Sequence, residues 1–205
     1  MATVDDESSG TRQRLIDVAV ALFTKHSYAG TSLQMIADEL GFTKAAIYHH
    51  FRTREQLLAA VLEPMFAQLR GIVEAAESQR TARGRAEYML SGYADLAVRN
   101  RGLAAVLAAD PSVATALQQH QDWSDLIARQ LRLLADVEPG PAGEIQAAMV
   151  FAGMAGAVGP MRVRLDDDAL ATHLMAAGRR TLGLRTPRRP TEHILRQPIS
   201  ERTTQ

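Results

Sequence analysis

Cysteine is absent from the 205 residues, which rules out a disulfide framework and any thiolate metal site. Net charge is also absent: 23 Lys and Arg balance 23 Asp and Glu, so bulk electrostatics give no sign of a nucleic-acid partner. Alternating runs of Val, Ile and Thr are scarce while alanine is plentiful, which favours helix over sheet. No apolar run reaches the ~18 residues of a membrane span. The most apolar stretch, Ala147 to Val163, is short and rich in Gly and Ala. The opening residues Met1 to Gly10 are polar and acidic, unlike a secretory leader, so a cytoplasmic chain is expected. The signatures G-x-S-x-G, G-x-G-x-x-G, H-E-x-x-H and the P-loop are missing, and no nucleophile is paired with a base, so an enzyme is not expected.

What is present is a 46% hydrophobic, 22% charged chain long enough to bury a real core. Apolar positions Leu15, Ile16, Ala19, Leu22 and Phe23 mark one helical face over Thr11 to Lys25. Thr31 and Ser32 are N-cap residues for a short helix through Leu33, Ile36, Ala37 and Leu40, which Gly41 ends. Thr43 caps a second short helix with inward Ala46, Ile47 and Phe51. Thr53-Arg54-Glu55-Gln56 forms a capping box that opens a long helix, with a kink expected at Pro64. Further helices are expected over Arg85–Arg99, Leu103–Ala109, Pro111 to about Asp136, Ala142–Val158 and Asp166–Leu182, with Gly183 as a stop. Asp166, Asp167 and Asp168 read as a helix cap and a complement to its dipole rather than a metal site.

Two short helices joined through Gly41 make a helix-turn-helix. The first packs across the second, leaving the second free to enter a major groove. Its outward face carries Thr43, Lys44, Ala45, Tyr48 and His49. Lys44 can meet a phosphate or a guanine edge, Thr43 and Tyr48 can donate to phosphate, and Ala45 permits close approach to a thymine methyl. Thr31, Ser32, Gln34, His50 and Arg54 complete the expected DNA-contacting set. From residue 9 to 57 there are six Lys and Arg against four Asp and Glu, so placement rather than quantity of charge carries this reading.

The run from Thr31 to Leu58, with Ala19 and Phe23 before it, resembles the DNA-binding domain of the TetR family of bacterial regulators. The likeness rests on Thr31-Ser32, Ile36-Ala37, Gly41, Ile47-Tyr48-His49-His50-Phe51, Arg54 and Leu57, and covers roughly residues 12 to 60. Three positions depart from the pattern. Ser27 stands where a glycine is usual, so a strained turn is expected. Ala45 replaces a frequent glycine, and Arg54 replaces a lysine while retaining a cation for phosphate. The resemblance implies an all-α homodimer of about nine helices that binds palindromic operator DNA, commonly as a repressor, and releases it when a small molecule occupies the C-terminal domain.

The expected organisation is a disordered lead over 1–10, a helix-turn-helix domain over 11–57, a helical ligand-binding and dimerisation domain over 58–184, and a disordered tail over 185–205. The expected ligand-contacting residues are Met65, Phe66, Leu69, Tyr88, Met89, Tyr93, Leu96, Leu107, Trp123, Ile127 and Met154, which suit an apolar or aromatic effector. The expected dimer face is Ala148, Phe151, Ala152, Gly153 and Gly156 with Leu170, Leu174 and Met175, forming a four-helix bundle across two copies. No cofactor, metal or membrane contact is expected. A DNA-binding regulator without small-molecule sensing, or an activator, is the alternative reading.

Overall fold

The computed structural model describes residues 4–104, 110–159 and 165–184. The described residues form no strand. Their principal helices are α1 (Val4–His26), α2 (Leu33–Leu40), α3 (Lys44–His50), α4 (Arg54–Glu77), α5 (Ala82–Arg99), α6 (Pro111–Gln119), α7 (Gln121–Ala135), α8 (Pro141–Val158) and α9 (Asp167–Thr181). Residues 101–104 are also helical. The rest of the helix expected over Leu103–Ala109, and the tail from Arg185, lie outside the described residues.

The local signals are built as physical caps. Ser32, Thr43 and Thr53 accept from the backbone N–H groups of Met35, Ala46 and Gln56, at 3.2, 3.3 and 3.2 Å. Each satisfies an otherwise orphaned donor, worth about 1 kcal/mol. Gly41 adopts φ 66°, and Phe42 N–H reaches back to the Ala37 carbonyl at 2.9 Å, the closing bond of a Schellman stop. Gln56 accepts from the Arg52 N–H at 3.0 Å, one residue outside the reciprocal partner of a capping box. Asp166 caps α9 through Ala169 N–H at 2.7 Å, as its sequence position implied.

Two boundaries differ from expectation. α1 begins at Val4 instead of Thr11, because its first turns carry no apolar stripe for periodicity to register. The helix expected from Pro111 to Asp136 is broken at His120, whose backbone is extended (φ −95°, ψ 95°). No Gly or Pro marks the break. The His120 ring stacks on Trp123 at 4.0 Å, and its carbonyl accepts from Trp123 and Ser124 N–H, which starts α7 afresh. α4 continues through exposed Pro64, although the Ala60 carbonyl loses its N–H partner there.

One apolar core runs through the molecule. Leu15, Ala19 and Phe23 of α1 pack with Ile36, Ala37, Ile47, Phe51, Leu57 and Leu58 at the N-terminal end. The long α4 touches α1 with one part of its length and α5 and α7 with another, so it joins the two ends as a single rod. Gly178 lets α9 lie against α5 and α8: a Cβ there would stand 2.5 Å from Leu90 Cδ1 and 3.0 Å from Met154 Cε. Ion pairs cross the same layers, Arg179–Glu87 at 2.7 Å, Arg129–Glu77 at 2.6 Å, and Arg85–Asp136.

Candidate nucleic-acid interface and internal cavity

α3 is anchored by one buried side chain, Ile47 at 1% exposure, with Phe51 buried just after it. Thr43, Lys44, Ala45, Tyr48 and His49 are all exposed. Lys44 Nζ lies 5.7 Å over the Tyr48 ring, which pre-orients a cation beside an aromatic hydroxyl. Ser32 and Gln34 are exposed at the start of α2. Gln34 donates to Asp38 at 2.7 Å, a bond that a base edge would have to replace. His50 is half-buried, and burial, then His49 and Arg12, hold its imidazole below the ordinary histidine value. It is therefore neutral at physiological pH.

Thr31 is a correction to the expected contact set, and Arg54, half-buried, has a bracing role that the expectation did not include. Thr31 is 1% exposed, and its hydroxyl donates to the Ser27 carbonyl at 2.8 Å and the Leu22 carbonyl at 3.3 Å. The Arg54 guanidinium donates to the carbonyls of Tyr28, Ala29 and Thr31 at 3.2, 3.1 and 3.2 Å, and lies 4.4 Å over the Tyr28 ring. Both residues hold the turn that enters α2. All three bonds come from the one nitrogen Nη1; what a lysine in place of Arg54 lacks is the flat guanidinium that lies over Tyr28 while making them. The turn also needs the left-handed conformation expected of it: Ser27 has φ 64°, alone among described non-glycine residues.

Three cations escaped the sequence reading. Arg12 stacks 5.1 Å over Phe51, Arg14 lies 5.5 Å over Phe42, and Arg52 is exposed in the turn after α3. Arg12 and Arg14 flank the helix-turn-helix from α1, a neighbourhood that linear spacing does not reveal.

A second feature lies in the C-terminal part: a cavity of about 440 Å³. Six of the expected ligand residues line it, namely Met65, Phe66, Leu69, Tyr93, Leu96 and Ile127. Ala97, Ala104, Ala114, Leu117 and Ala155 line it unforeseen, and Phe151, Ala152 and Gly156 line it although they were expected at a dimer face. Among the described residues, no charged side chain is on its wall. Four expectations fail. Tyr88 is 45% exposed on the outer surface, while Met89 and Met154 are packed in the core away from the wall. Trp123 stands behind the wall, stacked on Phe66 at 4.5 Å. Leu107 lies outside the described residues. Burial pushes the Tyr93 hydroxyl far above its ordinary pKa, so it stays protonated and donates to the Phe151 carbonyl at 3.3 Å.

The expected dimer face divides. Ala148, Ala152 and Gly153 are exposed on α8, and Phe151, Gly156 and Met175 are half-exposed. Leu170 and Leu174, at 2% and 7%, are buried within the single chain. They face inward because Gly178 draws α9 against α5 and α8. The large apolar side chains Ile145 and Met149 stand 60% and 61% exposed beside Ala148 and Ala152.

Two adjacent short helices, the second anchored by one buried side chain with five exposed ones around it, define a helix-turn-helix unit followed by a larger all-helical part. Residues 15–61 match the family of bacterial regulatory proteins called tetR. The repressor KstR2 of Rhodococcus jostii is 36% identical over 75 residues, which are 34% of this chain and 37% of that repressor. The chain thus spans little more than a third of that relative. A tetR-family regulatory protein from Rhodococcus RHA1 shares the fold over 83% of this chain and 96% of its own, with TM-score 0.64 and 20% identity. The regulator FadR from Bacillus subtilis, solved with stearoyl-CoA, does so over 81% and 96%, with TM-score 0.57 and 18% identity. At these identities the structural likeness concerns the fold.

Proposed function

We propose that the chain is a ligand-responsive transcriptional repressor that binds palindromic operator DNA as a homodimer. The observation that carries this reading is the outward set on α3, where Thr43, Lys44, Ala45, Tyr48 and His49 are all exposed around one anchoring Ile47. In this reading Lys44, Tyr48 and Thr43 meet phosphates or base edges, and Ala45 and His49 meet bases. Ser32 and Gln34 contact the backbone at the start of α2, and His50 sits at the rim. Arg12, Arg14 and Arg52 add phosphate contacts, while Thr31 and Arg54 position the motif.

The apolar wall of the cavity supports a small apolar effector. The FadR regulator holds stearoyl-CoA, but the described lining residues here carry no charge, which points away from an anionic ligand in the cavity. The exposed Ile145 and Met149 with Ala148, Ala152 and Gly153 supply the face for a second copy. Large exposed apolar side chains grouped on one helix are what an isologous interface buries.

Selection of bound sequences from random duplex DNA tests the reading. The expected result is a palindrome whose half-sites lie about one helical turn or slightly more apart. Recovery of single half-sites would remove the dimer, and absence of any enriched sequence by the ligand-free protein would remove the repressor reading.

A further inference from the structure

Gln130 is fully buried, and neither its amide nitrogen nor its amide oxygen has a hydrogen-bond partner. The Trp123 indole N–H, in a residue 2% exposed, is also unpartnered. Buried polar groups are almost always satisfied, and an amide left unpaired in an apolar interior is costly. A leucine or methionine would fill the same space without that cost. Two such residues near each other on one helix call for a partner that is not part of the chain.

Their place in the fold indicates what that partner is. Trp123, Ile127 and Gln130 fall at i, i+4 and i+7, one stripe of α7. Ile127 lines the cavity, and the Trp123 ring lies against Phe66, which lines it too. Tyr93, the one polar side chain among the described lining residues, already donates to the Phe151 carbonyl. The unclaimed hydrogen-bonding capacity of this region is therefore the Gln130 amide, the Trp123 N–H and, beside the Trp123 ring, His120 Nδ1; the amide alone offers a donor and an acceptor on separate atoms. We propose that Gln130 and Trp123 form the polar end of the ligand site, so that the effector is a neutral, mainly apolar molecule bearing one carbonyl or hydroxyl group. The inference rests on the ligand-responsive reading above. A carbonyl oxygen accepts from the Gln130 N–H and the Trp123 N–H, and a hydroxyl also donates to the Gln130 oxygen. Neither Gln130 nor Trp123 is on the wall as it stands; the ligand reaches them by rotation of the flexible Gln130 side chain past Ile127 and a shift of the Phe66 ring that covers Trp123. A carboxylate would be stripped of water with no cation among the described lining residues to meet it.

Isothermal titration of the full chain with three matched probes tests this: benzylcyclohexane, cyclohexyl phenyl ketone and cyclohexyl(phenyl)methanol. They differ at one carbon, so the ratio of ketone to hydrocarbon affinity isolates the polar contact, and comparing proteins cancels the ligands' own hydration. That ratio should fall roughly five- to tenfold in Gln130→Leu, with a smaller drop in Trp123→Phe. Ligand-free Gln130→Leu should melt at the same temperature as the parent or higher, since it removes an unpaired amide. An unchanged ratio overturns the assignment. So does a lower melting temperature for both Gln130→Leu and Gln130→Met, the mark of an amide satisfied by internal water. Gln130→Met also serves for the titration if the leucine variant does not fold. If the unaltered protein binds none of the three probes, the cavity as a ligand site falls and this assignment falls with it. If it binds all three but both proteins give the same ratio, only the polar assignment falls.

Discussion

The Asp110 carboxylate accepts a 2.6 Å hydrogen bond from the backbone N–H of Ala29, 81 residues earlier. Asp110 also caps α6 through Ser112 N–H at 3.0 Å and pairs with the Ser112 hydroxyl at 2.5 Å. Ala29 sits in the turn that Arg54 and Thr31 brace, while α6 lines the cavity through Ala114 and Leu117. One short helix therefore touches both the cavity and the turn that leads into α2.

Asp110→Asn should lower stability near neutral pH by about 1–2 kcal/mol, the cost of a weakened cap and a lost charge-assisted bond. Burial opposes the charge, but the bonds from Ser112 and Ala29, with Arg54 nearby, hold the carboxyl below its ordinary 3.8. A depressed carboxyl contributes its full stability above the unfolded value and loses it as pH falls through the folded one. The gap between parent and variant should therefore be constant from neutral down to about pH 4 and close below it. Denaturation curves across that range would show this, and a gap that closes near pH 6 would exclude the carboxyl as its source.

At Ser27 the backbone at φ 64° orders the substitutions. Glycine relieves the left-handed strain but gives up the bond from Gly30 N–H to Ser27 Oγ, and should be about neutral. Alanine keeps the strain and loses the bond. Valine adds a β-branch that this region disfavours and should cost at least ~1–2 kcal/mol. Midpoints in urea that place valine level with glycine would contradict the ordering.

Lys44→Ala and Arg54→Lys should separate contact from support. The first should weaken operator binding and flatten its salt dependence by about one unit of slope, with little change in melting temperature. The second keeps the charge but loses the flat guanidinium that lies over Tyr28 while its Nη1 meets three carbonyls. It should lower the melting temperature while leaving the slope intact. Anisotropy titrations over a salt series, read beside thermal melts, make the comparison.

Met149→Glu places a charge in the centre of the exposed α8 face. It should convert the protein to monomers in sedimentation without reducing its helical content. Leu174→Glu, inside the core at 7% exposure, should instead unfold the C-terminal part. A dimer that survives Met149→Glu moves the interface to another face.

The helix-turn-helix was legible because its determinants are local: a cap, a glycine and an apolar pair within each short segment. The cavity was half legible for a physical reason. Met65, Phe66 and Tyr93 announce apolar wall, but the void exists where Ala97, Ala104, Ala114 and Ala155 fail to fill space from separate parts of the chain. Periodicity registers side chains, not missing volume. The same blindness placed Leu170 and Leu174 on a surface, since an apolar stripe does not say whether its partner is the same chain or another. The break at His120 was invisible because a ring stack, not a glycine or proline, makes it.

The single buried anchor of α3 has a consequence for how such a protein diversifies. Because Ile47 and the Thr43 cap hold the helix while the other exposed side chains carry almost no packing, changes at Lys44, Ala45, Tyr48 or His49 leave folding nearly untouched. In the function proposed above, target preference is thus free to drift under selection with little stability penalty, and duplicated copies can acquire new addresses on DNA while inheriting an intact scaffold.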